Sequence, residues 1–233
     1  RQMCIRDRLI TLSHGSRKPG AAAGIERLTQ ATGVRPARAA HLEFNRPDLT
    51  TAALELAQLG ETDAIVVPLL FTQGYHQRVD VPRALADASQ AAHLSLHLTA
   101  GLGTGEDVAR VLASRTRSGD SHVVIYSVGS SDTAANDAIR ELAHRTFALT
   151  SVPTTVEFAT RGGREGIVSF CREYSDPARV RVIPLFVTEG LLLDRLAGVS
   201  ATVDRPLGTD LAGLVVDRFR QARNAAQEVF VPC

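Results

Sequence analysis

Two histidines stand where the chain can most easily build chemistry. His14 follows the short apolar run Leu9–Ser13 and precedes Gly15, in L-I-T-L-S-H-G-S-R. His76 lies in P-L-L-F-T-Q-G-Y-H-Q-R-V-D-V-P, Pro68 to Pro82, where an apolar run gives way to His76, Arg78 and Asp80. A neutral imidazole is both a metal ligand and a base near neutral pH. Two of them with a carboxylate suit a borderline divalent metal such as Fe2+, Co2+, Ni2+ or Zn2+. Glu43, at the end of a second apolar segment, is the candidate carboxylate, as ligand or base. The residues do not choose among these metals.

Both histidines need the same support: a buried strand, a polar loop and a helix. Charge-free β-branched runs predict strands buried on both faces. The pattern predicts strands over Leu9–Ser13, Ala39–Phe44, Ala64–Phe71 and Leu94–Thr99. Helices are predicted between them, over about 21–31, 48–59 and 82–92, with a further one from 104 towards 117. Asp48 is placed to cap the second helix and Pro82 to open the third. Alternating strands and helices imply a parallel α/β sheet. Parallel strands release their loops at one edge, so His14 and His76 can face each other across 62 positions of sequence.

The pattern then restarts. Val123-Val-Ile-Tyr-Ser-Val-Gly repeats Leu9-Ile-Thr-Leu-Ser-His-Gly, and Val156-Glu-Phe repeats Leu42-Glu-Phe, both 114 positions on. Pro184-Leu-Phe-Val-Thr-Glu-Gly repeats Pro68-Leu-Leu-Phe-Thr-Gln-Gly, and Leu207-Gly-Thr repeats Leu102-Gly-Thr. Four matches in order imply two similar halves. The division falls in the linker near Ser118–Ser121, giving domains over 9–118 and 119–233 after a lead of 1–8 that fits no pattern. Val128 stands in the place of His14 and Leu192 in that of His76, so the chemistry is expected in the first half. His41 reads as structural; His93, His97, His122 and His144 read as solvated or locally bonded.

The chain has 233 residues, a formal net charge of +1 and 44% hydrophobic residues. That balance implies a packed core and gives no reason to expect nucleic acid as a partner. Three cysteines without C-x-x-C spacing give neither a thiolate metal site nor a disulfide framework. No apolar run approaches a membrane span, and no export signal is visible, so a cytoplasmic protein is expected. A glycine-rich phosphate loop with lysine is missing, so ATP is not expected. Ser13 before His14 also departs from the histidine phosphatase pattern, which places arginine there.

The S-H-G-S-R segment, the L-E-F segment and the G-Y-H-Q-R-V-D-V-P loop together resemble the sirohydrochlorin chelatase family, in its two-domain form. The likeness runs from Leu9 to about Arg223. It implies two chelatase-like domains, each a parallel four-stranded sheet flanked by helices, with a cleft between them. It implies ATP-independent insertion of Fe2+ or Co2+ into sirohydrochlorin, in siroheme or cobalamin biosynthesis. His14 and His76 would bind metal and act with Glu43 in catalysis. The metal is a substrate, no cofactor is held permanently, and the protein is expected to be a monomer. A polyanionic tetrapyrrole needs local cations; Arg17, Lys18, Arg78, Arg161 and Arg164 are the candidates. The alternative is a non-catalytic carrier of metal or tetrapyrrole.

Overall fold

The structure is a computed structural model and describes residues 8–72 and 80–228. In chain order the elements are β1 Leu9–Ser13, α1 Ala21–Ala31, β2 Ala37–His41, α2 Leu49–Gln58, β3 Asp63–Pro68, α3 Val81–Ala92 and β4 Ser95–Leu98. There follow α4 Glu106–Arg115, β5 His122–Ser127, α5 Thr133–Thr150, β6 Thr154–Phe158, α6 Gly163–Cys171, β7 Val180–Pro184, β8 Thr202–Val203 and α7 Ala212–Glu228. They build two four-stranded sheets, ordered β2-β1-β3-β4 and β6-β5-β7-β8. Every pairing is parallel. Among the described residues, no helix is long and apolar enough to cross a membrane.

The second strand of each sheet order carries the load. All five residues of β1 and all six of β5 are buried, as expected of a strand covered on both faces. Ile10, Leu12 and Val66 pack against Leu49, Ala53 and Leu56 of α2 in the first core. Asp48 caps α2 as expected, its side chain accepting from the Thr51 N–H at 2.8 Å. Pro82 falls second in α3, after Val81, because Asp80 takes the cap position.

The chain forms two compact units that are drawn differently from the repeat. One holds residues up to Gly103 together with the chain from Thr209; the other is Thr104–Gly208. The sequence places α4 in the first domain, but α4 packs against α5 and belongs to the second unit. The sequence places α7 in the second domain, but α7 packs on β3 and α1 of the first unit. Arg218 of α7 donates to the Gly101 and Leu102 carbonyls at 3.1 and 2.8 Å, which fixes that helix beyond β4. Arg8, read from sequence as part of the lead, joins the first sheet: its carbonyl accepts from the Ile65 N–H at 2.9 Å, and its guanidinium pairs with Glu61. The rest of the lead, with Cys4, lies outside the described residues.

Arg181 and His122 are among the buried polar residues of the second unit. On β7, Arg181 is only 4% exposed and is paired with Asp120 (2.6 Å) and Asp204 (2.7 Å), so a buried guanidinium has its charge and donors satisfied. On β5, His122 is buried; it bonds Thr155 Oγ1 at 3.0 Å and Tyr174 Oη at 2.9 Å, and its ring packs on Phe170. Burial lowers its pKa from the ordinary 6.5 to about 4. The unfolded chain therefore takes up a proton near pH 6.5 that the folded unit refuses until about 4. This stabilisation is complete above pH 6.5 and drains away as pH falls towards 4, by up to about 3 kcal/mol. Denaturant unfolding at pH 7.5 and at pH 4.5 should show the wild type losing more stability than His122→Gln; equal losses would mean the imidazole does not carry the effect.

Candidate active site

The first sheet's carboxyl edge is built by two interlocked loops. β1 and β2 pair in register down to Ser13 opposite His41. The ladder then continues by two rungs, Leu42 N–H to the Ser13 carbonyl and Glu43 N–H to the His14 carbonyl, each at 2.9 Å. Gly15 follows with φ +94°, and a Cβ there would lie 1.8 Å from the Glu43 carbonyl oxygen, so only glycine fits. Asn45 closes the lock, its Oδ1 accepting from the Ser16 N–H at 2.7 Å. His14 is thus held at the end of an inner strand, half-buried, with its backbone tied to that of Glu43.

Beneath it, Ser13 Oγ and His41 Nδ1 lie 2.7 Å apart in the core. Desolvation lowers the His41 pKa, and the charge of Glu26 only partly opposes this. A neutral imidazole bonded to a serine under the edge is a structural support, in keeping with the structural role expected of His41.

Glu43 departs from its expected place. The sequence puts it on a strand running to Phe44, but β2 stops at His41. There the His41 N–H turns to the Pro47 carbonyl at 3.0 Å, and Phe44 adopts φ +63°. Glu43 therefore sits exposed in the turn rather than buried at a strand end. Arg17, exposed in the His14 loop, places its guanidinium carbon 4.7 Å from the Phe44 ring centroid. Lys18 follows it, its N–H bonded to Ser16 Oγ. On the other side of β1, the Leu69 N–H donates to the Leu12 carbonyl at 2.8 Å, so the chain leaving β3 exits at this same edge. His76 and Arg78, further along that chain, lie outside the described residues. His14, Glu43, Arg17 and Lys18 are therefore the candidates brought to one edge.

In the second unit the same edge carries different chemistry. β5 pairs with β6 at Ser127 opposite Phe158, and the next rungs run from Ala159 to Ser127 and from Thr160 to Val128. Val128 occupies the place of His14, as the sequence indicates, but Thr160 occupies that of Glu43. The Val156-Glu-Phe match is thus out of structural register by three residues. Glu157 lies on β6, pressed against Gly166, where a Cβ would come within 2.4 Å of its carboxylate. Burial raises its pKa, which suits a packed side chain rather than an edge ligand. Arg161 is exposed and donates to the Ser130 carbonyl at 2.9 Å. Arg164, expected in a loop, falls in the first turn of α6. With Glu165, Asp194 and Arg195 it lines a pocket of about 440 Å3 within this unit.

Residues 8–119 match the family model described as CbiX. That match covers the first repeat, 112 of the chain's 233 residues. Relatives of this chain include a sirohydrochlorin cobaltochelatase of Sulfurisphaera tokodaii, 36% identical over 74 residues, or 32% of this chain and 59% of that protein. The fold is that of SirB from Bacillus subtilis with Fe3+, with TM-score 0.76, 18% identity and coverage of 97% of this chain and 98% of that one. The sirohydrochlorin chelatase SirB of Bacillus subtilis subspecies spizizenii in complex with cobalt gives the same figures, TM-score 0.76, 18% identity, 97% and 98%. The chain spans 55–63% of the length of the first curated relatives it matches.

Sequence reasoning passed over two parts of this edge. Phe44 entered it only as the end of a strand and a letter of the L-E-F segment, and Asn45 was given no part in the site. The Asn45-Arg46-Pro47 sequence is the signal that a turn begins there and that a bulky ring beside it is poorly placed for a strand.

Proposed function

We propose that the chain is an ATP-independent chelatase that inserts Fe2+ or Co2+ into sirohydrochlorin. The observation that carries this reading is the CbiX-family edge, with His14 on an inner strand, the Glu43 turn bonded to it on one side, and the chain leading to His76 leaving on the other. The names of the relatives support the tetrapyrrole and the choice of iron, there as Fe3+, and cobalt. Insertion must strip water from the metal and remove two protons from pyrrole nitrogens. His14 and His76 hold the incoming metal; as it passes to the ring, the freed imidazole nitrogens accept the two pyrrole protons, and Glu43 adds an exposed carboxylate beside His14. The metal ends in the product, so it is a substrate of the site.

Arg17, Lys18 and Arg78 meet the substrate carboxylates; Arg161 and Arg164 are the second unit's candidates for the same task. Charge-assisted bonds of this kind contribute roughly 1.5–3 kcal/mol each. Arg17→Gln should therefore raise KM for sirohydrochlorin about ten- to a hundredfold with a smaller change in kcat. An unchanged KM would take Arg17 out of substrate binding. The function as a whole is tested by initial rates of metal insertion with Fe2+ and with Co2+, without nucleotide, each against the spontaneous rate. A protein that never exceeds the spontaneous rate is a carrier rather than a chelatase.

A further inference from the structure

Phe44 is an anomalous residue of the first unit. Its φ of +63° is the left-handed region, which bulky side chains rarely enter and which marks strain at functional sites. The residue is 51% exposed and forms no part of the buried core. Glycine or asparagine would sit in that backbone with less strain, and a polar side chain would suit its exposure better. Among the described residues, the buried core of the unit does not include it.

What the ring does touch is the candidate site. Its centroid is 6.0 Å from that of the His14 imidazole, with the planes 32° apart. The Arg17 guanidinium lies over it, in a cation–π contact. The left-handed turn takes residue 44 out of the line of β2 while the two backbone rungs above hold Glu43 to His14. An exposed aromatic ring is thereby stationed beside the histidine, with a cation at its side.

We infer that Phe44 is a substrate-binding residue, the surface on which a planar conjugated macrocycle stacks, with Arg17 placed to meet the macrocycle's peripheral carboxylates. This rests on the chelatase reading and adds a residue to it. Stacking favours every planar conjugated ring, metal-free or metallated, so it acts on binding more than on the insertion step.

The test is absorption titration of the full chain with metal-free sirohydrochlorin, together with KM and kcat for Co2+ insertion. Phe44→Leu keeps apolar bulk but no π surface, and Phe44→Tyr keeps the ring. Phe44→Leu should weaken Kd and KM about tenfold with kcat nearly unchanged, and Phe44→Tyr should restore both. The same pair is measured in an Arg17→Gln background, where Phe44→Leu should still cost its full factor. If that cost disappears, the ring acts only by holding Arg17, and the inference is overturned. It is equally overturned if Phe44→Leu binds sirohydrochlorin as the wild type does. A wild type that binds the macrocycle but gives no turnover refutes the chelatase reading while the Kd series still decides Phe44. A wild type that does not bind it refutes both.

Discussion

Replacing His14 by alanine is expected to lower the rate constant for metal insertion about a hundred- to ten-thousandfold, the range for losing a positioned acid, base or ligand. His14 caps an inner strand, and its loop is tied down through the His14 carbonyl and the Ser16 N–H. Removing the imidazole therefore leaves the loop's backbone ties in place. Circular dichroism and the unfolding midpoint should stay close to wild type while turnover collapses. The second unit shows that the fold accepts an apolar residue at this place, since Val128 occupies it with the same edge ladder intact. Turnover within a fewfold of wild type would remove His14 from the chemistry.

Gly15→Ala is expected to damage the same site through the backbone. At φ +94°, any L side chain is strained, and its Cβ would meet the Glu43 carbonyl oxygen at 1.8 Å. That oxygen is backbone and cannot swing aside, so the His14 and Glu43 loops must part. Parting them stretches the Glu43-to-His14 and Ser16-to-Asn45 hydrogen bonds. A displacement of about an ångström at reacting groups costs roughly a hundredfold in rate, and the strain should cost more than about 2 kcal/mol of stability. Gly33 provides the control: its φ is +71°, but nothing lies within 4 Å of its would-be Cβ. Gly33→Ala should show backbone strain alone, with turnover preserved. Initial rates and urea midpoints of the two variants decide it. If Gly15→Ala is no worse than Gly33→Ala, the loops are not locked as described.

The strands that position the site were legible because their chemistry is local. β1, β3 and β5 are apolar, β-branched runs, and a strand buried on both faces needs little else. α1 falls where its pattern placed it, and Asp48 caps α2 through a bond only three residues long. The end of β2 was not legible, because what stops it is the contact from His41 to Pro47 and the left-handed backbone of Phe44. A run reading Leu-Glu-Phe looks like a strand until those are known. The shared Glu-Phe pair misaligned Glu157 with Glu43. The second repeat carries an 18-residue α5 where the first has an 11-residue α1, and the pairing of β6 shifts accordingly. The placing of α4 and α7 was beyond local pattern altogether, since an amphipathic helix states which face it buries but not which sheet receives it. His14 was found because its imidazole follows a buried strand and is absent from the repeat; Phe44 was passed over because its meaning lies in a dihedral angle.

The most direct measurement is multiple-turnover metal insertion, with the protein far below the concentrations of sirohydrochlorin and Co2+ and no nucleotide present. Absorbance should record many equivalents of metallated product per protein chain, formed faster than in its absence. Product limited to one equivalent per chain, or formed only at the spontaneous rate, would contradict the account.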